Sequence, residues 1–198
     1  MSKVVEEHAA EQTQTELMNK AKTRGIHHIA FASKDSKATY DFYHNKLGMP
    51  LIHTENHKMD NGYFRHFFFD MGNDQCIGFF EVNDVGESAN YKTDISVGLG
   101  LPLWVNHIAF KVDSKEEYKL LKKRAKQRKV PIIAEVDHDW CVSLYFLDPN
   151  GIMLEYSYDV EGEDFVQDHD EAYRLLFGVP ADQIGDETQK SKVNKDVK

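Results

Sequence analysis

The chain has 198 residues, 41% of them apolar, with twelve Phe, nine Tyr and a formal net charge of −9. Such a chain can bury a core of domain size, and its acidity excludes a phosphate-backbone binder, which needs a basic footprint. Two cysteines make no disulfide framework, and neither a cationic-then-apolar leader nor an apolar run near ~18 residues occurs, so a cytoplasmic protein without a membrane span is expected.

Residues 1–24 are polar and read as an N-terminal tail. From Gly25 an internal repeat begins. Gly25 to Phe31 (GIHHIAF) matches Trp104 to Phe110 (WVNHIAF), and Asp-Ser-Lys follows each copy at 35–37 and 113–115. A helix-period segment comes next, 36–48 or 114–129, then a Pro and a short β-like run at Pro50 or Pro131. Each copy closes with a hairpin. In the first, GYFRHFFFDM and QCIGFFEV flank Gly72-Asn73-Asp74; in the second, CVSLYFL and IMLEYSY flank Asp148-Pro149-Asn150-Gly151. Each unit therefore reads β-α-β-β-β, over 25–83 and 104–160. The linker 84–103 is rich in Gly, Ser and Asn and long enough for a functional loop. The basic run Lys119 to Lys129 reads as the solvated face of the second helix. Residues 161–180 form an extension with a helix over HDEAYRLLF, ended by Gly178, and 181–198 read as a disordered tail.

Neither half-size sheet can bury an apolar face alone, so the predicted fold is α+β: two βαβββ modules making a cup-shaped, pseudo-symmetric mixed sheet with helices outside. In HIAFAS, Ile29 and Phe31 go under the helix, and His28 goes into the cup beside Ala30 and Ala32. His107 takes the equivalent place in the second copy. Glu155 stands in an apolar strand between Leu154 and Tyr156, where a carboxylate without a cation or donors is costly. Two imidazoles and one carboxylate with open positions suit Fe(II), and also Mn(II), Zn(II), Ni(II) or Co(II). His28, His107 and Glu155 are the predicted metal ligands.

The HIAF-led βαβββ repeat, over roughly residues 24–160, resembles the vicinal-oxygen-chelate superfamily of glyoxalases, epimerases, fosfomycin and bleomycin resistance proteins and extradiol dioxygenases. His138, Leu144-Tyr145, Asp148-Pro149-Asn150-Gly151 and Glu155 are spaced as in the type I extradiol signature. The resemblance implies Fe(II)-dependent cleavage of a catechol-like ring by O₂ in a homodimer, without nucleic acid or membrane. Tyr145 would hydrogen-bond a substrate oxygen, and His138 would hold developing negative charge. Glyoxalase- and epimerase-like members, which use no O₂, place a Glu or Gln ligand on the fourth strand of the first repeat. Alignment puts Gly78 there and turns Glu81 to the other face, leaving three ligands; the metal-free resistance proteins need none. Extradiol enzymes also carry an acid–base His on that inner surface, where this chain has Gln75, Cys76 and Ile77. Matching His66 to Leu144 and Phe67 to Tyr145 turns His66 away from the site, and neither His53 nor His57 matches by strand.

Overall fold

The computed structural model describes residues 23, 25–86, 90–178 and 192–194. Nearly all of the 1–24 tail, and all of 181–198 except 192–194, lie outside the described residues. In the first module, β1 (His28–Ser33), α1 (Ser36–Tyr40, continuing as a π-helix over Asp41–Leu47), β2 (Leu51–Lys58), β3 (Tyr63–Gly72) and β4 (Gln75–Asn83) follow in order. The second has β5 (His107–Lys111), α2 (Lys115–Gln127), β6 (Ile132–Asp137), β7 (Cys141–Leu147) and β8 (Met153–Asp159). A helix, α3 (His169–Phe177), and a short strand, β9 (Lys192–Asn194), come last.

Local chemistry fixes these elements. The Asp35 carboxylate accepts from Ala38 N at 2.9 Å and Ser114 Oγ from Glu117 N at 3.2 Å, each filling an N-cap. The first helix stops at Gly48, whose φ of 85° suits the left-handed C-cap. The sheets run β1-β4-β3-β2 and β5-β8-β7-β6-β9, with the outer β1–β4 and β5–β8 pairs parallel. Even the bulge repeats: the register shifts between Leu51 and His53 and again between Ile132 and Ala134. β9 pairs with β6, so residues 192–194 form an edge strand where the sequence reads as a tail.

The helix-side faces of both sheets merge into one core, in which Phe42, Tyr43, Phe69, Phe79, Leu144, Phe146, Leu154 and Tyr156 are buried. Ile29 and Phe31 pack against it, as the alternation requires. The basic run is only partly a solvated face. Arg124 donates to Leu47 O at 3.1 Å and Arg128 to Asn45 O at 2.5 Å, placing two cations at the carbonyl end of the first helix.

The modules meet at the Asp148 turn. Asp148 is buried and accepts from Asn150 N and Ile152 N, both at 2.8 Å, and from Tyr43 OH at 3.1 Å. Asn150 Nδ2 also donates to Thr39 Oγ1 at 3.1 Å. Burial raises the Asp148 pKa despite these donors. Removing the carboxylate leaves several buried donors unpaired. Asp148→Ala is expected to lower stability by about 2–4 kcal/mol and Tyr43→Phe by about 1 kcal/mol, measured by chemical denaturation.

Candidate metal centre

His107 and Glu155 lie on the face of the second sheet opposite the helices. β5 runs parallel to β8 with Ala109 level with Glu155, and Tyr145 on β7 is level with Glu155 from the other side. Glu155 is 5% exposed. One of its oxygens, Oε1, accepts the Ser143 hydroxyl; the other, Oε2, stands 3.2 Å from His107 Nε2. His107 Nδ1 is 3.0 Å from the Trp104 carbonyl, an acceptor only, so Nδ1 carries the proton. Nε2 therefore faces the carboxylate across 3.2 Å, a gap that a proton or a metal ion can bridge. Two ligands about 2.1 Å from one ion, at right angles, stand about 3 Å apart, close to the observed gap. Buried carboxylate, oriented imidazole and outer donors together fit a divalent metal.

The candidate catalytic pair adjoins this centre. Tyr145 OH and His138 Nε2 are 3.0 Å apart, and the Tyr145 ring meets His107 edge-to-face at 5.9 Å. Burial, aided by the Glu155 charge, pushes the Tyr145 pKa up to about 12, so it stays a neutral phenol at pH 7.

His28 does not join them. It sits exposed on the first sheet, its Nδ1 2.8 Å from His27 Nδ1 and its ring edge-to-face with Phe68 at 5.6 Å. No group of three His, Cys, Asp or Glu side chains able to hold an ion forms among the described residues. The structure thus brings two of the three predicted ligands together. The reason is visible in the core: one chain joins its two sheets through their helix sides, leaving the His28 face open.

Register settles the first-module alternatives. Ala30 is level with Gly78, and Phe68 with Gly78, as Ala109 and Tyr145 are with Glu155. Gly78 therefore occupies the counterpart of Glu155 and offers no ligand atom. A Cβ there would lie 3.0 Å from the Phe68 ring and 3.3 Å from His66 Nε2. Glu81 faces the helix side and accepts the Ser36 N–H at 3.2 Å. The reading of His66 needs correction by one residue: it is level with Phe80 as Ser143 is with Ser157, so its counterpart is Ser143 and it shares the His28 face. The same face carries His53, Glu55 and His57, with Glu55 3.1 Å from His53 Nε2 and 3.0 Å from His57 Nε2. Their alternate spacing in HTENH was the available signal. His66 Nε2 is buried without a partner, and burial lowers its pKa, with the His28, His53 and His57 charges adding and Glu55 opposing.

Residues 25–156 match the Glyoxalase/Bleomycin resistance protein/Dioxygenase superfamily, and the chain belongs to that superfamily. Among solved structures, a glyoxylase/bleomycin resistance protein/dioxygenase domain from Frankia sp. EAN1pec is similar, with TM-score 0.53, 20% identity and coverage of 72% of this chain and 96% of the other. A glyoxalase/bleomycin resistance protein/dioxygenase from Nocardioides matches at 0.51 and 20% over 80% and 98%, and the fosfomycin resistance protein FosX from Listeria monocytogenes at 0.51 and 23% over 71% and 97%. At these identities the likeness is one of fold. No curated protein matches the chain. No helix among the described residues is long and apolar enough to cross a membrane.

A depressed folded-state pKa means that the unfolded chain binds the His66 proton more readily. This contribution is therefore complete above the unfolded value of about 6.5 and is lost as pH falls through the lower folded value. Denaturation midpoints are expected to fall from pH about 6.5 downward, and His66→Phe to flatten that slope; an unchanged slope would refute the assignment.

Proposed function

We propose that this protein is a metal-dependent extradiol-type dioxygenase, with Fe(II) as its metal, a catechol-like aromatic diol as substrate and a homodimer as its working form. The observation that carries the metal is the 3.2 Å approach of His107 Nε2 to the buried Glu155 Oε2, each group oriented by a hydrogen bond on its far side. Bound Fe(II) would supply a chelation point for both substrate oxygens and a one-electron path to O₂. Tyr145 donates to substrate oxygen, and His138 accepts or returns the proton through the Tyr145 hydroxyl. His66, half-buried on the His28 face with its Nε2 unpartnered, would serve as the acid–base histidine. The balance is simple: one O₂ is consumed per ring opened, and both oxygen atoms end in the product. Gly78, with no donor atom, favours this three-ligand reading over a four-ligand glyoxalase-like site.

The third ligand comes from a second copy. His28 bonds through Nδ1 on an open sheet face, which leaves Nε2 directed elsewhere. Beside His107 the linker exposes Leu99 (74%), Trp104 (66%) and Val97 (56%), an apolar strip that a second copy of the chain would cover. His28 of one protomer then meets His107 and Glu155 of its partner, giving two sites per dimer.

Mixed variants test this. His28→Ala and His107→Ala proteins should each retain little iron. After unfolding and refolding together at equal amounts, random pairing makes half the dimers mixed, each with one intact site, so about a quarter of the wild-type iron should return. No recovery, or full iron in a monomer, would sink the shared site. Anaerobically loaded wild-type protein should consume O₂ with catechol and release a yellow ring-opened product. Turnover of carbonyl substrates without O₂, in the Ni(II), Co(II) or Zn(II) form, would instead assign the glyoxalase-like branch.

A further inference from the structure

The family match ends at residue 156, yet the chain runs on and folds back towards the site. Four ring contacts make the route. Tyr145 meets His107 at 5.9 Å, and His138 meets Tyr145 at 6.3 Å while bonding its hydroxyl. Trp140 stacks on His138 at 5.9 Å and 28°, and Phe165, from the extension, packs on Trp140 at 4.5 Å. The backbone holds this arrangement. Val160 N donates to Trp140 O at 2.9 Å, His138 N donates to Cys141 O at 2.9 Å, and Asp139 turns the chain with φ 68°. Phe165 is still 66% exposed, so only part of its ring is used by Trp140.

We infer that the extension builds an aromatic rim beside His107 and Glu155, and that Trp140 and Phe165 select ligands carrying a flat, uncharged or cationic ring beside their chelating oxygens. This rests on the metal reading of His107 and Glu155, but holds whichever reaction follows. A ligand chelated there through two oxygens carries the rest of its body along the ladder, over indole and phenyl faces suited to offset or edge contact with a ring. The charge preference comes from the segment itself. Phe165 stands among Glu161, Glu163, Asp164 and Asp168, so a carboxylate on the distal side of the ring meets four acids. They are solvent-exposed, so the penalty is modest and screened by salt.

The test uses the full-length protein loaded with redox-inert Zn(II), with calorimetric titration of catechol, dopamine, 3,4-dihydroxybenzoate and acetohydroxamate, a chelator without a ring. Trp140→Ala and Phe165→Ala should each weaken catechol about two- to tenfold, the span of one aromatic contact, and leave zinc and acetohydroxamate affinity unchanged. Dopamine should bind more tightly than 3,4-dihydroxybenzoate, with the ratio shrinking in about 1 M salt and in Glu163→Gln/Asp164→Asn protein. Catechol affinity indifferent to both ring variants overturns the rim, as does an equal loss for acetohydroxamate, which would mean site collapse. Wild-type protein that takes up no zinc fails earlier, at the metal reading itself.

Discussion

The buried Asp148 carboxylate is the constraint on which the site depends. Two backbone N–H groups of its own turn and one phenol from the other module converge on it. The turn sets where β7 ends and β8 begins, and so fixes their register. With period two, a slip of one residue would send Glu155 to the helix side and Leu154 to the open face. The position of a candidate metal ligand is thus decided seven residues away, by a hydrogen-bonded carboxylate that faces the core. The Asp-Pro-Asn-Gly segment is a structural joint first; its link to any reaction runs through the strand it aligns.

The two modules show what duplication leaves fixed and what it leaves free. Helix caps, strand order and bulge position repeat, because each is needed to bury the same apolar faces. The open faces diverge. Where the second sheet has Glu155, Tyr145 and Ser143, the first has Gly78, Phe68 and His66 at the equivalent places. The first face cannot regain a ligand at Gly78 without moving Phe68, which already touches His28 edge-to-face. One sheet holds the charged centre, and the other carries imidazoles and rings on its own open face.

The strands and their faces were legible because alternation and turn chemistry are local: HIAFAS placed Ile29 and Phe31 inward, and the hairpin turns fell where Gly72 and Gly151 adopt positive φ. The placement of Gly78, without a ligand atom, at the strand position facing the sheet's open side also held, since it needed only a correct β4 register. His66 was misjudged because β3 was matched to β7 one residue out of step, and no local signal along FRHFFF fixes that step. How the sheets are joined was not legible either. An apolar helix side states that it will be covered, not whether its cover comes from its own module, from its neighbour, or from both, and here Tyr43 reaches Asp148 across the boundary. The ladder to Phe165 lay beyond the repeat, where no periodicity pointed back to the site.

If ligands come from two copies, metal binding and assembly become one equilibrium. Each ion that binds the paired state and not the separated chains shifts pairing by its own binding free energy, and pairing strengthens metal binding by the same amount. Without a metal ion, the 3.2 Å approach of His107 Nε2 to Glu155 Oε2 is bridged by a proton, with Nδ1 still donating to the Trp104 carbonyl. Because the ligands must be deprotonated, uptake of metal releases that proton, so low pH opposes loading and pairing together. The apolar strip around Trp104 is tied to the same balance, since its carbonyl orients His107 while its indole lies open to solvent. In a dimer paired through this strip, covering that indole and fixing that imidazole would be parts of a single step, since the same residue supplies both groups.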